Sequence, residues 1–327
     1  MAQGNGKPQA RKRAAAYRTA CDRADCVIAS PHELAELLPH PARDANKFTR
    51  GKLVLVAGSD RYPGAACLAA VASQRMGAGY TEVVTAPSAV QLVRLYHPSL
   101  VVMPRAAWKP DALSHVRPGH PCAVGIGSGF DANDPETPAL VDAALSQAAC
   151  PVLADGGALS HLATPAGLAA LAARAQAGRT TVLTPHGGEA ARLAQGLAAR
   201  DAAAASALDE ARAAGPAAMA RTLSQLLGAV VVLKGPDTYV SDGARTIAIT
   251  TGTPALAKAG TGDVLAGMTA SLLAQGLEPL DAGVLAAELH ARAGRDAAER
   301  LGDISVCAED VVGSLPAAVR ELSSCEG

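Results

Sequence analysis

Three short runs in this 327-residue sequence combine glycines with side chains able to handle phosphate. In Ala259-Gly260-Thr261-Gly262-Asp263, the residues that follow, Val264, Leu265, Met268 and Leu272, recur at helical spacing, so the glycine turn opens a helix. Successive backbone N–H groups in such a turn form a concavity for an anion, and the glycines let a phosphate oxygen approach without a Cβ in the way. Ala259, Gly260, Thr261 and Gly262 are the expected anion hole. Asp263, in the first helical turn, is placed to accept the proton of a hydroxyl that attacks the phosphate. Alone, the run fits a structural turn with an acidic first-turn residue equally well.

The second run, Lys234-Gly235-Pro236-Asp237-Thr238, leaves an apolar strand and turns at Gly-Pro, presenting Lys and Thr as donors; an ordinary strand exit reads the same way. In the third, Thr184-Pro185-His186-Gly187-Gly188-Glu189, His186 can hydrogen-bond a polar ligand and Glu189 can cap the next helix. Further polar or glycine loops, Gly58 to Ala66, Gly125 to Phe130 and Asp155 to Leu159, also follow apolar runs. Neither glycine loop is a Walker A, and Gly125, Gly127 and Gly129 lack the dinucleotide-fingerprint spacing, which disfavours a Rossmann dehydrogenase.

These loops need a scaffold that gathers them. Short β-branched runs at Leu53 to Ala57, Thr81 to Thr85, Leu100 to Met103, Ala123 to Ile126, Val152 to Asp155, Thr181 to Thr184 and Ala229 to Leu233 alternate with helical stretches. That alternation predicts a mostly parallel sheet with helices on both faces, whose ligand crevice lies beyond the carboxyl ends of the strands. Tyr239-Val240 and Thr246 to Thr250 predict an antiparallel hairpin, residues 197 to 227 two helices broken at Gly215-Pro216, and residues 263–275, 281–300 and 309–323 three more. Order is expected from the capping run Ser30-Pro31-His32-Glu33, making residues 1–29 a flexible basic tail and 30–325 a single domain.

The composition narrows the partners. With 49% hydrophobic and 18% charged residues the chain has ample apolar surface for one core. Its two Phe, five Tyr and one Trp give little base-stacking surface, and a net charge of −1 exerts no pull on nucleic acid or anionic membrane. Arg11, Lys12 and Arg13 read as a solvated tail, no apolar run has secretory or spanning length, and the seven scattered cysteines read as reduced thiols without zinc spacing. A cytoplasmic protein with small-molecule partners is expected.

Taken in order, the runs resemble the ADP/ATP-dependent NAD(P)H-hydrate dehydratase family of the ribokinase-like superfamily, over about Leu38 to Leu322. Thr-Pro-His-x-Gly-Glu, Lys-Gly-x-x-Thr and Gly-Thr-Gly-Asp are the specific part; Leu38-Pro39, Arg43, Lys47, Ala57-Gly58-Ser59 and Gly64-Ala65 agree as well. The resemblance implies a three-layer α/β/α fold. It implies that Ala65, Ala66, Gly127, Gly129, His186 and Asp263 contact hydrated NADH or NADPH, and that Lys234, Gly235, Pro236, Asp237, Thr238 and Gly262 hold ADP, with ATP as the alternative nucleotide. It further implies Mg2+ on the nucleotide, with no protein metal cage, and a homotetramer coupled to an NAD(P)H-hydrate epimerase. Residues 1–30 are too short for the fused epimerase domain that many members carry, so that activity is expected on a separate protein. The chain departs from the family at Gly187, usually Pro; at Gly157, in what is usually Asp-Ala-Asp-Ala-Leu; and at Gly252-Thr253-Pro254-Ala255, usually Gly-Asn-Pro-Gly.

The implied chemistry is nucleotide repair: phosphorylation of the C6 hydroxyl of the hydrate by ADP, then elimination of phosphate, giving AMP, phosphate and the dihydronicotinamide. The alternative is a kinase of the same fold acting on a thiazole or pyrimidine alcohol, which shares Gly-Thr-Gly-Asp but has no call for Thr-Pro-His-x-Gly-Glu. A nucleotide-binding module without turnover would be free to lose Asp263, which this chain keeps.

Overall fold

The computed structural model describes residues 26–131 and 133–325. In chain order the strands are β1 (Lys52–Val56), β2 (Tyr80–Thr85), β3 (Val101–Pro104), β4 (Cys122–Ile126), β5 (Val152–Ala154), β6 (Thr181–Leu183), β7 (Val230–Leu233), β8 (Thr238–Ser241) and β9 (Thr246–Ile249). The helices are α1 (Pro31–Ala35), α2 (Pro63–Arg75), α3 (Val90–Tyr96), α4 (Thr137–Gln147), α5 (Gly157–Leu162), α6 (Pro165–Gln176), α7 (Gly187–Ala198), α8 (Ala202–Ala214), α9 (Pro216–Leu227), α10 (Thr261–Ala274), α11 (Pro279–Leu301) and α12 (Ala308–Ser323).

One nine-stranded sheet runs β3-β2-β1-β4-β5-β6-β7-β8-β9. Its members from β3 to β7 are all parallel, and β8 and β9 add the expected antiparallel hairpin. Because successive side chains of a strand face opposite ways, each apolar run feeds two cores. Leu53, Leu55, Leu153, Val182 and Val232 pack under α2, α10, α11 and α12. Val54, Val56, Val152, Leu183 and Val231 pack under α4 to α9. The three-layer ribokinase-like expectation is met.

Small residues set the spacing of the first layer. α10 crosses α2 so closely that a Cβ on Gly267 would lie 2.1 Å from the Ala69 carbonyl oxygen. That contact draws the start of α10, which carries the Gly-Thr-Gly-Asp run, over the sheet. The chain reverses its direction of travel across the sheet between β1, which pairs with β2, and β4. The crevice of an open α/β sheet opens at such a reversal.

Three details differ from expectation. Pairing starts before Ser30: the Val27 N–H bonds the Thr246 carbonyl and the Val27 carbonyl accepts from Ala248, extending the free edge at β9. Asp155 to Leu159 is no loop, since Gly157 begins α5. Cys26 is disulfide-bonded, a correction to the reading of all cysteines as reduced that no spacing signalled, while Cys67, Cys122, Cys150, Cys307 and Cys325 are free. Arg11, Lys12, Arg13 and Cys21 lie outside the described residues.

Candidate active site

Gly260, at φ +94°, forms the N-cap of α10, a backbone that non-glycine residues seldom adopt. No side chain caps this helix, so its first N–H groups are left for a ligand, as the anion-hole reading requires. The turn is braced from behind: the Thr261 hydroxyl donates to the Leu256 and Lys258 carbonyls at 2.8 Å each. Asp263 is the third residue of α10 and is largely buried. Burial first, and the nearby Asp155 carboxylate second, push its carboxyl up to about 7, against the opposing pull of Lys234 and a hydrogen bond from Ser128. A carboxyl poised there can accept a proton near neutral pH.

Lys234 leaves β7 alongside His186 of the neighbouring loop, its N–H bonding the Pro185 carbonyl at 2.8 Å. Its Nζ lies 2.9 Å from Asp155 Oδ1 and 4.0 Å from Glu189 Oε2. Burial alone would lower its pKa, but Asp155, Glu189 and Asp263 outweigh that and hold it above the usual lysine value, so it stays a cation. A Cβ on Gly262 would come 3.4 Å from this ammonium, so the open face of the α10 turn looks directly at Lys234. An uncapped helix start, a fixed ammonium and a protonatable carboxylate thus share one small volume. Chemically, such an arrangement can hold a phosphoryl group and take the proton of a hydroxyl that reacts with it.

Asp155 organises the cluster. Buried at the end of β5, it accepts from Thr184 at 2.6 Å and from Ser128 at 3.3 Å in addition to Lys234. The Thr184, Ser128 and Asp155 roles were not assigned from sequence, because a pairing between residues 79 positions apart has no local signature. Glu189 caps α7 as expected: its Oε2 accepts from the His186 N–H at 2.8 Å while His186 Nδ1 accepts from the Gly188 N–H at 3.0 Å. Burial raises the Glu189 carboxyl above its ordinary value despite Lys234. With Nδ1 accepting, Nε2 is the ring position left to donate; it lies 3.6 Å from Glu189 Oε1, and the ring is otherwise half-exposed.

The remaining sequence-predicted residues divide into two groups around this centre. Ala65 and Ala66 start α2, and Gly127 and Gly129 follow β4; the Gly58 N–H donates to the Ser128 carbonyl at 2.8 Å, stitching the two loops together at the switch point. Gly127, at φ +111°, packs so that a Cβ would sit 2.1 Å from the Asp155 carbonyl oxygen. Gly235, Pro236, Asp237 and Thr238 form the β7 to β8 turn, with the Pro236 carbonyl 3.0 Å from where a Gly252 Cβ would be. Ala259 is exposed beside Gly260. All lie at the carboxyl end of the parallel strands or on the loops facing it.

The family departures have physical explanations at two positions. A Cβ on Gly157 would meet the Phe130 Cβ and carbonyl oxygen at 2.6 Å, so the backbone as placed leaves no room for an Asp there. Thr253 takes a capping role, accepting from the Ala255 N–H at 3.3 Å. Sequence reading missed His290 altogether. This buried histidine of α11 hydrogen-bonds the Thr261 backbone and has an unpartnered Nε2; burial, then the Lys234 charge, depress it to about 4.

Known proteins share this sequence pattern and this fold. The family model described as NAD(P)H-hydrate dehydratase matches residues 53–316. The chain belongs to the NAD(P)H-hydrate dehydratase family. A relative from Xanthomonas campestris pv. campestris, named ADP-dependent (S)-NAD(P)H-hydrate dehydratase, is 34% identical over 87% of this chain and 93% of its own length. A bifunctional NAD(P)H-hydrate repair enzyme of Moorella thermoacetica is also 34% identical, but the match spans 52% of that longer protein. The ADP/ATP-dependent NAD(P)H-hydrate dehydratase of Bacillus subtilis, co-crystallised with ATP and Mg2+, superposes with a TM-score of 0.73 at 27% identity, covering 92% of this chain and all of that one. In this family member the motifs recognised in the sequence lie at the carboxyl ends of the parallel strands or on the loops facing them.

Proposed function

We propose that the protein dehydrates (6S)-hydrated NADH and NADPH at the expense of ADP, repairing the nicotinamide cofactor. The observation that carries this reading is the buried Asp263 facing Lys234 across the uncapped start of α10. Phosphoryl transfer asks for positioning and charge stabilisation more than for covalent chemistry, and these residues supply both. The hydrate's C6 hydroxyl attacks the terminal phosphorus of ADP while Asp263 accepts its proton and AMP leaves. The α10 N–H groups and Lys234 stabilise charge on the transferring oxygens. The ring-nitrogen lone pair then expels phosphate from C6, and loss of a C5 proton restores the dihydropyridine. Hydroxide would be a poor leaving group in that step; phosphate is a good one.

ADP binding is assigned to Lys234, Gly235, Pro236, Asp237, Thr238 and Gly262, and hydrate binding to Ala65, Ala66, Gly127, Gly129, His186 and Asp263. Mg2+ would arrive on the nucleotide phosphates, whose charge it would help neutralise; no cluster of three His, Cys, Asp or Glu side chains among the described residues could hold a metal. The reading carries with it a cytoplasmic homotetramer served by an NAD(P)H-hydrate epimerase. Family membership and the fused repair enzyme among the relatives support the coupling to an epimerase.

The test is recovery of dihydronicotinamide absorbance from hydrated NADH with Mg2+, ADP and ATP being supplied in parallel. Faster recovery with ADP is the expected result. No recovery with either nucleotide, together with phosphorylation of a thiazole or pyrimidine alcohol, would transfer the same site to a vitamin-precursor kinase.

A further inference from the structure

Outside the phosphate-facing cluster, one buried cation has its bonds directed entirely at the loops on the hydrate side. Arg105 follows β3 and is 9% exposed. Its Nη2 donates to the Gly58 carbonyl at 2.8 Å, and its Nη1 to Asp134 Oδ2 at 2.7 Å and Glu136 Oε2 at 3.2 Å. The guanidinium lies 5.0 Å from the centre of the Phe130 ring. Its Nε has no partner, so the two terminal nitrogens alone fix the group. Three segments that are remote in sequence, the loop after β1, the end of β3 and the loop after β4, therefore converge on one planar fork.

Little slack exists between the segments so joined. A Cβ on Gly129 would stand 2.4 Å from the Ala65 Cβ and 2.7 Å from the Tyr62 carbonyl oxygen. Phe130, beneath the guanidinium, bears on Gly157 next to Asp155. Burial opposes ionisation of Asp134, yet hydrogen bonds from Arg105 and the Glu136 N–H hold its carboxyl below the usual range, so the pair stays charged. The residues assigned to ADP come from the β7 exit and α10, which Arg105 does not contact.

We propose that Arg105 is a positioning residue that sets the separation of the Gly58 to Ala66 and Gly127 to Asp134 loops, and so governs affinity for the hydrated dinucleotide while leaving ADP binding alone. This rests on the dehydratase reading. A loop displaced by a fraction of an ångström loosens contacts to the hydrate without touching the groups that move the proton and the phosphoryl group.

The experiment is steady-state kinetics of the full-length wild type, R105A, R105K and D134N, varying hydrated NADH and ADP separately and recording thermal unfolding of each. R105A is expected to raise KM for the hydrate on the order of tenfold or more, with KM for ADP and kcat within about twofold. R105K keeps a charge for Asp134 but cannot fork to Gly58, so it should unfold near the wild-type temperature and still show a raised hydrate KM. Millimolar guanidinium should partly restore R105A. If R105A does not fold, D134N, which weakens the clamp from its other end, must raise the hydrate KM selectively. Hydrate and ADP KM values rising together, or an unshifted hydrate KM in all folded variants, would overturn the assignment of Arg105 alone. Absence of turnover by the wild type would overturn the dehydratase reading and this proposal with it.

Discussion

Asp263 makes opposite demands on stability and on chemistry. The folded chain holds its proton up to about pH 7, whereas an unfolded aspartate releases it near 4. The folded state is thus favoured by this group below that lower value, and the contribution is lost as pH rises through the folded value. Catalysis needs the ionised form, so kcat/KM should fall on the acid side with an apparent pKa near 7; a flat profile across that range would remove Asp263 as the base. Asp263→Asn should lower kcat by about a thousandfold yet raise stability at mildly alkaline pH by roughly 1–2 kcal/mol, read as a higher melting temperature. A second residue-scale prediction concerns Gly187, the first residue of α7. Nothing lies within 4 Å of the site of its missing Cβ, and His186 before it is extended at φ −81°, ψ 172°. Proline is tolerated in such a place and restricts the unfolded chain, so Gly187→Pro should stabilise by about 0.4–1 kcal/mol in chemical denaturation with dehydration unaltered.

Elements transmit the site's geometry through their ends. α10 delivers the anion hole only if its axis lies close against α2, and Gly267 over Ala69 is the contact that allows it. Gly267→Val would force the two helices apart and should cost on the order of 3 kcal/mol, with loss of nucleotide binding at temperatures where the variant remains folded. α11 holds the other side. Its Glu288 accepts from Thr251 at 2.7 Å and from Arg292 at 2.7 Å, both bonds within protein. This pins the loop after β9 that borders the β7 to β8 turn. Glu288→Ala leaves a buried hydroxyl and a mostly buried guanidinium short of a partner, so a loss of about 2–4 kcal/mol is expected in thermal or denaturant unfolding.

At the scale of the whole molecule, the loops after β1 and β4 flank the reversal in strand order, while the β7 exit and the start of α10 lie farther along the sheet on the β4 side. In the proposed function the first pair of loops receives the hydrate and the second pair of segments the nucleotide. Ligands that bind only the folded chain stabilise it by mass action, by about 2.7 kcal/mol at a hundred times Kd. ADP with Mg2+ should therefore raise the melting temperature of the wild type. A lysine-to-methionine change at Lys234 should abolish most of that shift, since an apolar side chain cannot hold the phosphate and leaves Asp155 unpaired.

The sequence by itself determined the parallel sheet, the hairpin at its end and the helix starts at Ser30 and Gly260, because hydrophobic period and capping residues act over a few positions. The Gly-Thr-Gly-Asp run announced a helix-opening anion turn on the same local grounds, and Glu189 announced its cap. What only the tertiary structure decided are meetings between distant segments: Asp155 with Lys234, His290 behind Thr261, and Arg105 across Gly58 and Asp134. Each depends on strand order, and no short-range pattern in a chain records which strands will be neighbours. The same reason accounts for Gly157, whose side chain is excluded by Phe130 from another loop. Asp263 stands on both sides of this division. Its place in the first turn of α10 was written in the glycines before it, but its affinity for a proton was set by burial and by carboxylates that the fold brought to it.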